Sequence, residues 1–315
     1  MKIFSGLASF LILSRALAQN QADPALFLNP CEVRCEGNIF RKTFYVNNYE
    51  NGICNEDCVR FPRAYTVRGY SCGRCPKAFE NYNELKQAVD EYLADNSASS
   101  PVATLYGHPI GKWQVQKVGS FEYLFDGKRN TAAATFNEDI SAWNVRAASN
   151  MQYMFASNTA FNKDIGAWNV AKVTTMEGMF EDASSFNRNI GSWDVTNVRD
   201  MAYMFYGAKQ FNQNLNSWDV SNVSDMSFMF SSAESFNSPL DNWNVVNVRD
   251  FEQMFAEATA FSQDLCQWGD EMTSITSDEV INMFISTQCL LEDDPALSET
   301  PVSPLCFNCR MPGGV

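Results

Sequence analysis

The stretch Phe211-Asn212-Gln213-Asn214-Leu215-Asn216-Ser217-Trp218-Asp219-Val220-Ser221-Asn222-Val223-Ser224-Asp225-Met226-Ser227-Phe228-Met229-Phe230 decides the fold, because its pattern recurs along the chain. Regular copies begin at Phe136, Phe161, Phe186, Phe211 and Phe236, always 25 residues apart. Counting that Phe as the first position, Asn follows at the second, Ile or Leu stands at the fifth, Trp at the eighth and Val at the tenth. The thirteenth is Val except for Ala148, and the sixteenth is Met except for Phe251. Met and Phe fill the nineteenth and twentieth, and Ala the twenty-third except for Asn158. A looser copy precedes these, with Ile110, Trp113, Val115, Val118, Phe121, Leu124 and Phe125; another follows, with Phe261, Leu265, Trp268, Met283 and Phe284. All 7 tryptophans thus occupy one position of a repeating unit. A fixed period of this kind means a short unit copied and stacked.

Two periodicities share each unit. Apolar positions sixteen, nineteen, twenty and twenty-three mark one face of a two-turn helix. The residue before that face is Ser120, Asn150, Thr175, Asp200, Asp225 or Asp250, each able to cap a helix N-terminus. Trp-x-Val has period two and reads as a short strand with both side chains inward. Strands stack about 4.8 Å apart, whereas helices prefer about 8–10 Å, so the helix side should splay. The expected fold is an α/β repeat solenoid. It would be a curved, leucine-rich-repeat-like stack of about seven coils, each a short parallel strand plus a two-turn helix, with a small disulfide-rich N-terminal module.

The run from Phe211 to Phe230 resembles the 25- to 26-residue repeat of secreted mycoplasma and bacterial surface proteins, a group related to BspA-like leucine-rich repeats. The resemblance covers roughly residues 79 to 290. It includes a lead-in, Asn83 to Tyr92 and then Tyr106-Gly107, similar to that family's N-terminal capping helix. It implies surface display, adhesion and binding of protein or glycan, and supplies no catalytic residues.

Residues 1–18 read as a secretory signal, with Lys2, an apolar run from Ile3 to Leu13, and Ala16-Leu17-Ala18 before Gln19. The expectation is an exported protein, secreted or at the cell surface, with no membrane span or lipid anchor. Cysteines in an exported chain read first as disulfides. Cys31, Cys35, Cys54, Cys58, Cys72 and Cys75 lie in a module over 19–78 carrying 6 acidic and 8 basic residues, net +2. Zinc held by the short-spaced pairs is the alternative there. Residues 79–105 form a capping helix and linker, 106–290 the repeats, and 291–315 a tail. Cys266 and Cys289 flank the irregular last unit and are expected to pair; Cys306 and Cys309 bridge locally or tie the tail back.

Residues 79–315 carry 31 acidic and 13 basic residues, net −18, which opposes nucleic-acid binding. Helix caps and turn residues such as Asp194 and Asp219 account for many of these acids, with weak calcium binding by stacked carboxylates as the sharper alternative. His108 is the only histidine, so His-based triads and multi-His metal sites have no basis. Pairs such as Met176/Met179 and Met201/Met204 read as core rather than a copper site. The expectation is therefore no enzyme, no cofactor and no metal. The protein would contact an extracellular protein or polysaccharide through the repeat surface. A wall or matrix protein without a ligand is the runner-up, and a hydrolase sited in the Cys-rich module stands behind that. Tyr153, Tyr203 and Phe228 hold the eighteenth position, on the expected outer helix face, and with Tyr206 are the expected binding residues. Tyr203, Tyr206 and Phe228, on neighbouring units, could form a compact exposed aromatic patch. Asn222, in Asn222-Val223-Ser224, is the expected glycosylation site.

Overall fold

The computed structural model describes the backbone of six strands between residues 31 and 72, together with residues 76–272, 275, 277–290, 294–297 and 305–307. The signal segment, the side chains of the six N-terminal cysteines and Cys309 lie outside the described residues. The chain divides into two compact units, Met1–Cys75 and Pro76–Val315. In the first, β1 (Cys31–Glu36), β2 (Lys42–Val46), β5 (Tyr65–Val67) and β6 (Tyr70–Cys72) form an antiparallel sheet in the order β2-β1-β6-β5. The strands β3 (Tyr49–Glu50) and β4 (Ile53–Cys54) pair separately.

The second unit opens with α1 (Tyr82–Ala94) and α2 (Pro101–Tyr106). Asn81 caps α1 by accepting the Glu84 N–H at 3.0 Å, while the Glu84 carboxylate reaches back to the Glu80 N–H at 2.9 Å. The first bond satisfies a donor that the first helical turn leaves free, and the second ties the residue before the cap to that turn. The face of Leu85, Ala88, Val89 and Tyr92 is buried.

Beyond α2 the expected fold class is wrong. Among the described residues of 107–315 there is no α-helix and no strand longer than an isolated bridge, so this is not a leucine-rich-repeat-like solenoid of strand-plus-helix coils. The resemblance to BspA-like repeats falls with it. The physical reason lies in where the backbone donors go. The N–H groups at positions sixteen, eighteen, twenty and twenty-two each donate to a carbonyl of the following unit. For example, Met201, Tyr203, Phe205 and Gly207 donate to Asp225, Ser227, Met229 and Ser231 at 2.8–3.0 Å. An α-helix needs those same donors for its own i→i−4 bonds. Units joined this way sit at strand-like separation, closer than side-by-side helices allow.

What replaces the helix is a run of turns. Met204 donates to Met201 and Tyr206 to Tyr203, closing three-residue steps. Two residues in each regular unit take left-handed backbone, such as Tyr203 (φ 58) with Gly207 (φ 62), and Phe228 (φ 56) with Ser232 (φ 57). This conformation ends any helix. The capping residues are real caps, but of turns: Asp200, Asp225 and Asp250 accept the N–H two residues on, at 3.1, 2.9 and 2.8 Å. Single parallel bridges link Ser120, Asn150, Thr175, Asp200, Asp225 and Asp250 in succession. Trp-x-Val is no strand either. Trp218 closes a turn on Leu215, Val223 closes one on Val220, and Asp219 accepts the Ser221 N–H between them.

The interior is predominantly apolar, with the Trp, Phe, Met and Val positions almost fully buried and Asn158 buried among them. Phe rings stack from unit to unit, as Phe180 on Phe205 at 5.7 Å and Phe205 on Phe230 at 5.5 Å. Trp193, Trp218, Trp243 and Trp268 stack at 6.3–6.5 Å with planes within 3–5°. Each indole N–H donates to the fifth-position carbonyl of the preceding unit, from Trp143 to Ile110 (2.9 Å) through to Trp268 on Leu240 (3.2 Å). A buried indole needs such a partner. The second-position asparagines form another ladder, in which each Oδ1 accepts the backbone N–H of the next, as Asn187 from Asn212 at 3.1 Å.

The first repeat exposes its backbone carbonyls toward α1, and they are taken. Tyr82 donates to Glu122 at 2.7 Å, and Arg129 donates to Tyr123 and Leu124 at 2.7 and 2.8 Å. The Arg129 guanidinium is held in turn by Asp90 of α1 at 2.8–2.9 Å.

Candidate functional site

The left-handed eighteenth position carries the side chains with the most surface chemistry. Of the four expected binding residues, Tyr203, Tyr206 and Phe228 lie together and Tyr153 lies apart. Tyr203 lies face to face on Phe228 (4.7 Å, 5°), with Tyr206 tilted beside it at 5.9 Å. Tyr153 belongs to a separate pair, stacked on Tyr123 (4.9 Å, 10°), and its hydroxyl donates to Glu177 at 2.6 Å. Gly178 divides the two groups: a Cβ there would stand 2.2 Å from the Tyr153 ring. All four expected residues are half-buried. Sequence reasoning passed over Tyr123, which occupies the same position in the looser first unit and is 39% exposed.

These turns also hold the acidic row. Burial pushes the Asp200 carboxyl up to about 6, and the charges of Glu177 and Asp225 add to it against one backbone hydrogen bond from Ala202. Asp250 is raised for the same first reason, with Asp225, Glu252 and Glu279 adding. Among the described residues no group of three or more His, Cys, Asp or Glu is placed to hold a metal ion. On the next turn Asp182, Tyr206, Lys209, Ser232, Glu234 and Glu257 line an open groove of about 570 Å³. Lys209 and Glu234 pair across it at 2.7 Å.

The other expected residues are placed as follows. His108 lies within hydrogen-bonding distance of the Asn96 carbonyl, 3.1 Å. Met176, Met179, Met201 and Met204 are fully buried in the core. Asn222 is exposed, and its amide nitrogen donates to Thr196 at 2.8 Å, in line with Asn197 on Ala171 and Asn247 on Ser221. Cys289 pairs with Cys306 and not with Cys266, which is itself disulfide-bonded. The cross-link therefore ties the tail to the last unit.

Adhesion through a repeat surface is overturned by the same geometry. The strand and helix faces it required do not exist, and the aromatics meant to carry it spend their faces on one another. No helix among the described residues is long and apolar enough to cross a membrane. No match was found among curated proteins or among solved structures. A family profile described as "Mycoplasma protein of unknown function, DUF285" matches residues 93–208 and 188–290, more than half of the chain. The chain, with its turn-built 25-residue units, belongs to that family.

Proposed function

We propose that the chain is an exported, non-catalytic protein that holds an extracellular protein, with residues 76–290 serving as a rigid body rather than as a reaction vessel. One observation carries this reading: side chains with chemical potential are absorbed in structural bonds to backbone. The indoles and second-position asparagines bond the backbone of the adjoining unit, and Asp200 and Asp250 cap turns within their own units. A general acid or nucleophile needs a partner and room for substrate, and these groups lack that freedom. A protein partner is favoured over polysaccharide because sugar platforms use free ring faces, whereas Tyr203 and Phe228 cover each other. The signal-like segment 1–18 supports export.

The test is retention of the purified full chain on intact cells and on isolated wall polysaccharide. Retention on cells that is abolished by prior protease treatment of the cell surface supports the reading. Retention on protease-stripped cells or on polysaccharide, or release of new reducing ends, overturns it.

A further inference from the structure

We infer that the last repeat unit offers an open row of backbone N–H donors to an extended, basic segment of a partner polypeptide. This rests on the reading of the partner as a protein and names the place where it sits. In every earlier unit, positions sixteen, eighteen, twenty and twenty-two donate to carbonyls of the next unit. The last junction with a successor is Phe251, Gln253, Phe255 and Glu257 on Glu279, Ile281, Met283 and Ile285, at 2.7–3.0 Å. The equivalent donors one unit on belong to Val280, Asn282, Phe284 and Ser286. Asn282 and Ser286 again adopt left-handed backbone, φ 54 and 60, so the row keeps the shape of the five regular rows before it. Among the described residues the N–H groups of Asn282, Phe284 and Ser286 have no acceptor, whereas Val280 closes the 3-10 turn Ser277–Val280; the tail oxygen that reaches the row is Asp294 Oδ1, on the intervening Met283 N–H at 3.2 Å.

The chemistry of the occupant follows from what the earlier rows bind: carbonyl oxygens on alternate residues, which is what an extended peptide supplies along one side. Its side chains meet apolar surface. The seventeenth and twenty-first positions, polar or small in most units, are here Ile281 and Ile285, 38% and 44% exposed, with Leu290 at 72% nearby. Charge selects a basic peptide, since residues 251–309 contain no Lys, Arg or His and 11 Asp or Glu. A second copy of the chain is a poor occupant. Its own last unit would bring donors against donors, and the carbonyls of its first unit are already held by Tyr82 and Arg129.

The experiment uses the full oxidised chain and two synthetic octapeptides, alternating Lys-Val and alternating Glu-Val. Site-resolved hydrogen exchange should show the Asn282, Phe284 and Ser286 amides exchanging freely in the chain alone and slowing at least tenfold with Lys-Val, but not with Glu-Val. Ile281→Lys with Ile285→Lys, both at exposed positions, should weaken Lys-Val binding at least tenfold while the melting transition is retained. Three outcomes overturn the inference: amides already protected in the free chain, meaning the tail fills the row; protection that grows with chain concentration, meaning a second copy does; or no change with either peptide. Because the readout is independent of where the chain resides, failure of export or of cell retention would defeat the functional reading and leave this result standing.

Discussion

The two ends of the repeat body are chemical opposites. At the first unit the backbone presents acceptors, and Tyr82, Arg129 and the Asp90 of α1 close them. At the last unit it presents donors, and the described part of the tail contributes one carboxylate oxygen, a buried Leu305 and the Cys289–Cys306 cross-link. Stacking of identical units is directional, so each end poses a different problem. Acceptors can be satisfied by side-chain hydroxyls and guanidinium groups of a short helix. A donor row shaped by left-handed turns calls for carbonyls at the pitch of another chain. A helix suffices for the first end; the second stays receptive.

Changes at these ends, and between them, should differ in size. The largest effect is expected for Cys289→Ser. Removing a cross-link that closes a 17-residue separation should cost about 3 kcal/mol. Fast hydrogen exchange should then appear in 277–290 and leave the first units unchanged. Uniform loosening throughout would mean that the two ends are not independent.

Arg129→Ala comes next, at about 2–3 kcal/mol in urea unfolding, since it strips a charged donor from two backbone carbonyls and leaves Asp90 without its cationic partner. Asp90 is held below the usual carboxylate range by Arg129 and Asn130 despite its burial. Its stabilisation is therefore present at neutral pH and lost as pH falls through that depressed value. The Arg129→Ala variant should lose most of this acid dependence, the Asn130 bond to Asp90 keeping the remainder. Arg129→Lys should recover less than half the stability, because an ammonium cannot fork between carbonyl and carboxylate.

In the middle of the stack, Gly178→Ala should cost about 1–2 kcal/mol. Its φ of +57 disfavours any side chain, and the Tyr153 ring fills the space. In a Tyr153→Ala background the cost should shrink to the backbone part alone, which a double-mutant cycle measures. If the two costs simply add, the ring is not what excludes the methyl group.

The smallest change concerns Asp200, whose folded value of about 6 lies above the ordinary 3.8. A raised carboxyl favours the folded state when protonated, so its contribution is full below about pH 4 and is lost as pH rises through 6. Asp200→Asn keeps the turn cap and should flatten the fall in stability between those limits. At pH 7.5 it should raise the melting temperature slightly; a drop there would show the charge to be favourable.

The repeat and its buried positions could be read from residues alone, because burial at sixteen, nineteen, twenty and twenty-three leaves the same apolar mark whether a helix or a run of turns produces it. Met226, Met229, Phe230 and Ala233 are fully buried, as helical spacing also demands. What separates the two is the left-handed backbone at eighteen and twenty-two. Glycine marks it only at Gly178 and Gly207, while Tyr153, Phe228, Ser157 and Glu257 hide it. Hydrogen bonds to the next unit offset the strain there and have no signature in a single unit's sequence. The Asp or Asn directly after each Trp of the regular units, followed by Val, held a clue, since an Asp or Asn two residues before a free N–H favours a turn over a strand. The donor row at the last unit was invisible for a different reason: nothing marks an unpaired amide until its neighbours are placed.

The four stacked indoles have an optical consequence. Trp193, Trp218, Trp243 and Trp268 lie parallel at 6.3–6.5 Å, in equivalent surroundings and with the same carbonyl bond. Excitation absorbed by any one should pass readily along the row, and because the rings share an orientation the emitted light should keep its polarisation. A quencher attached near Trp268 alone would then dim the whole row, so fluorescence offers a report on the last unit written by tryptophans three repeats away.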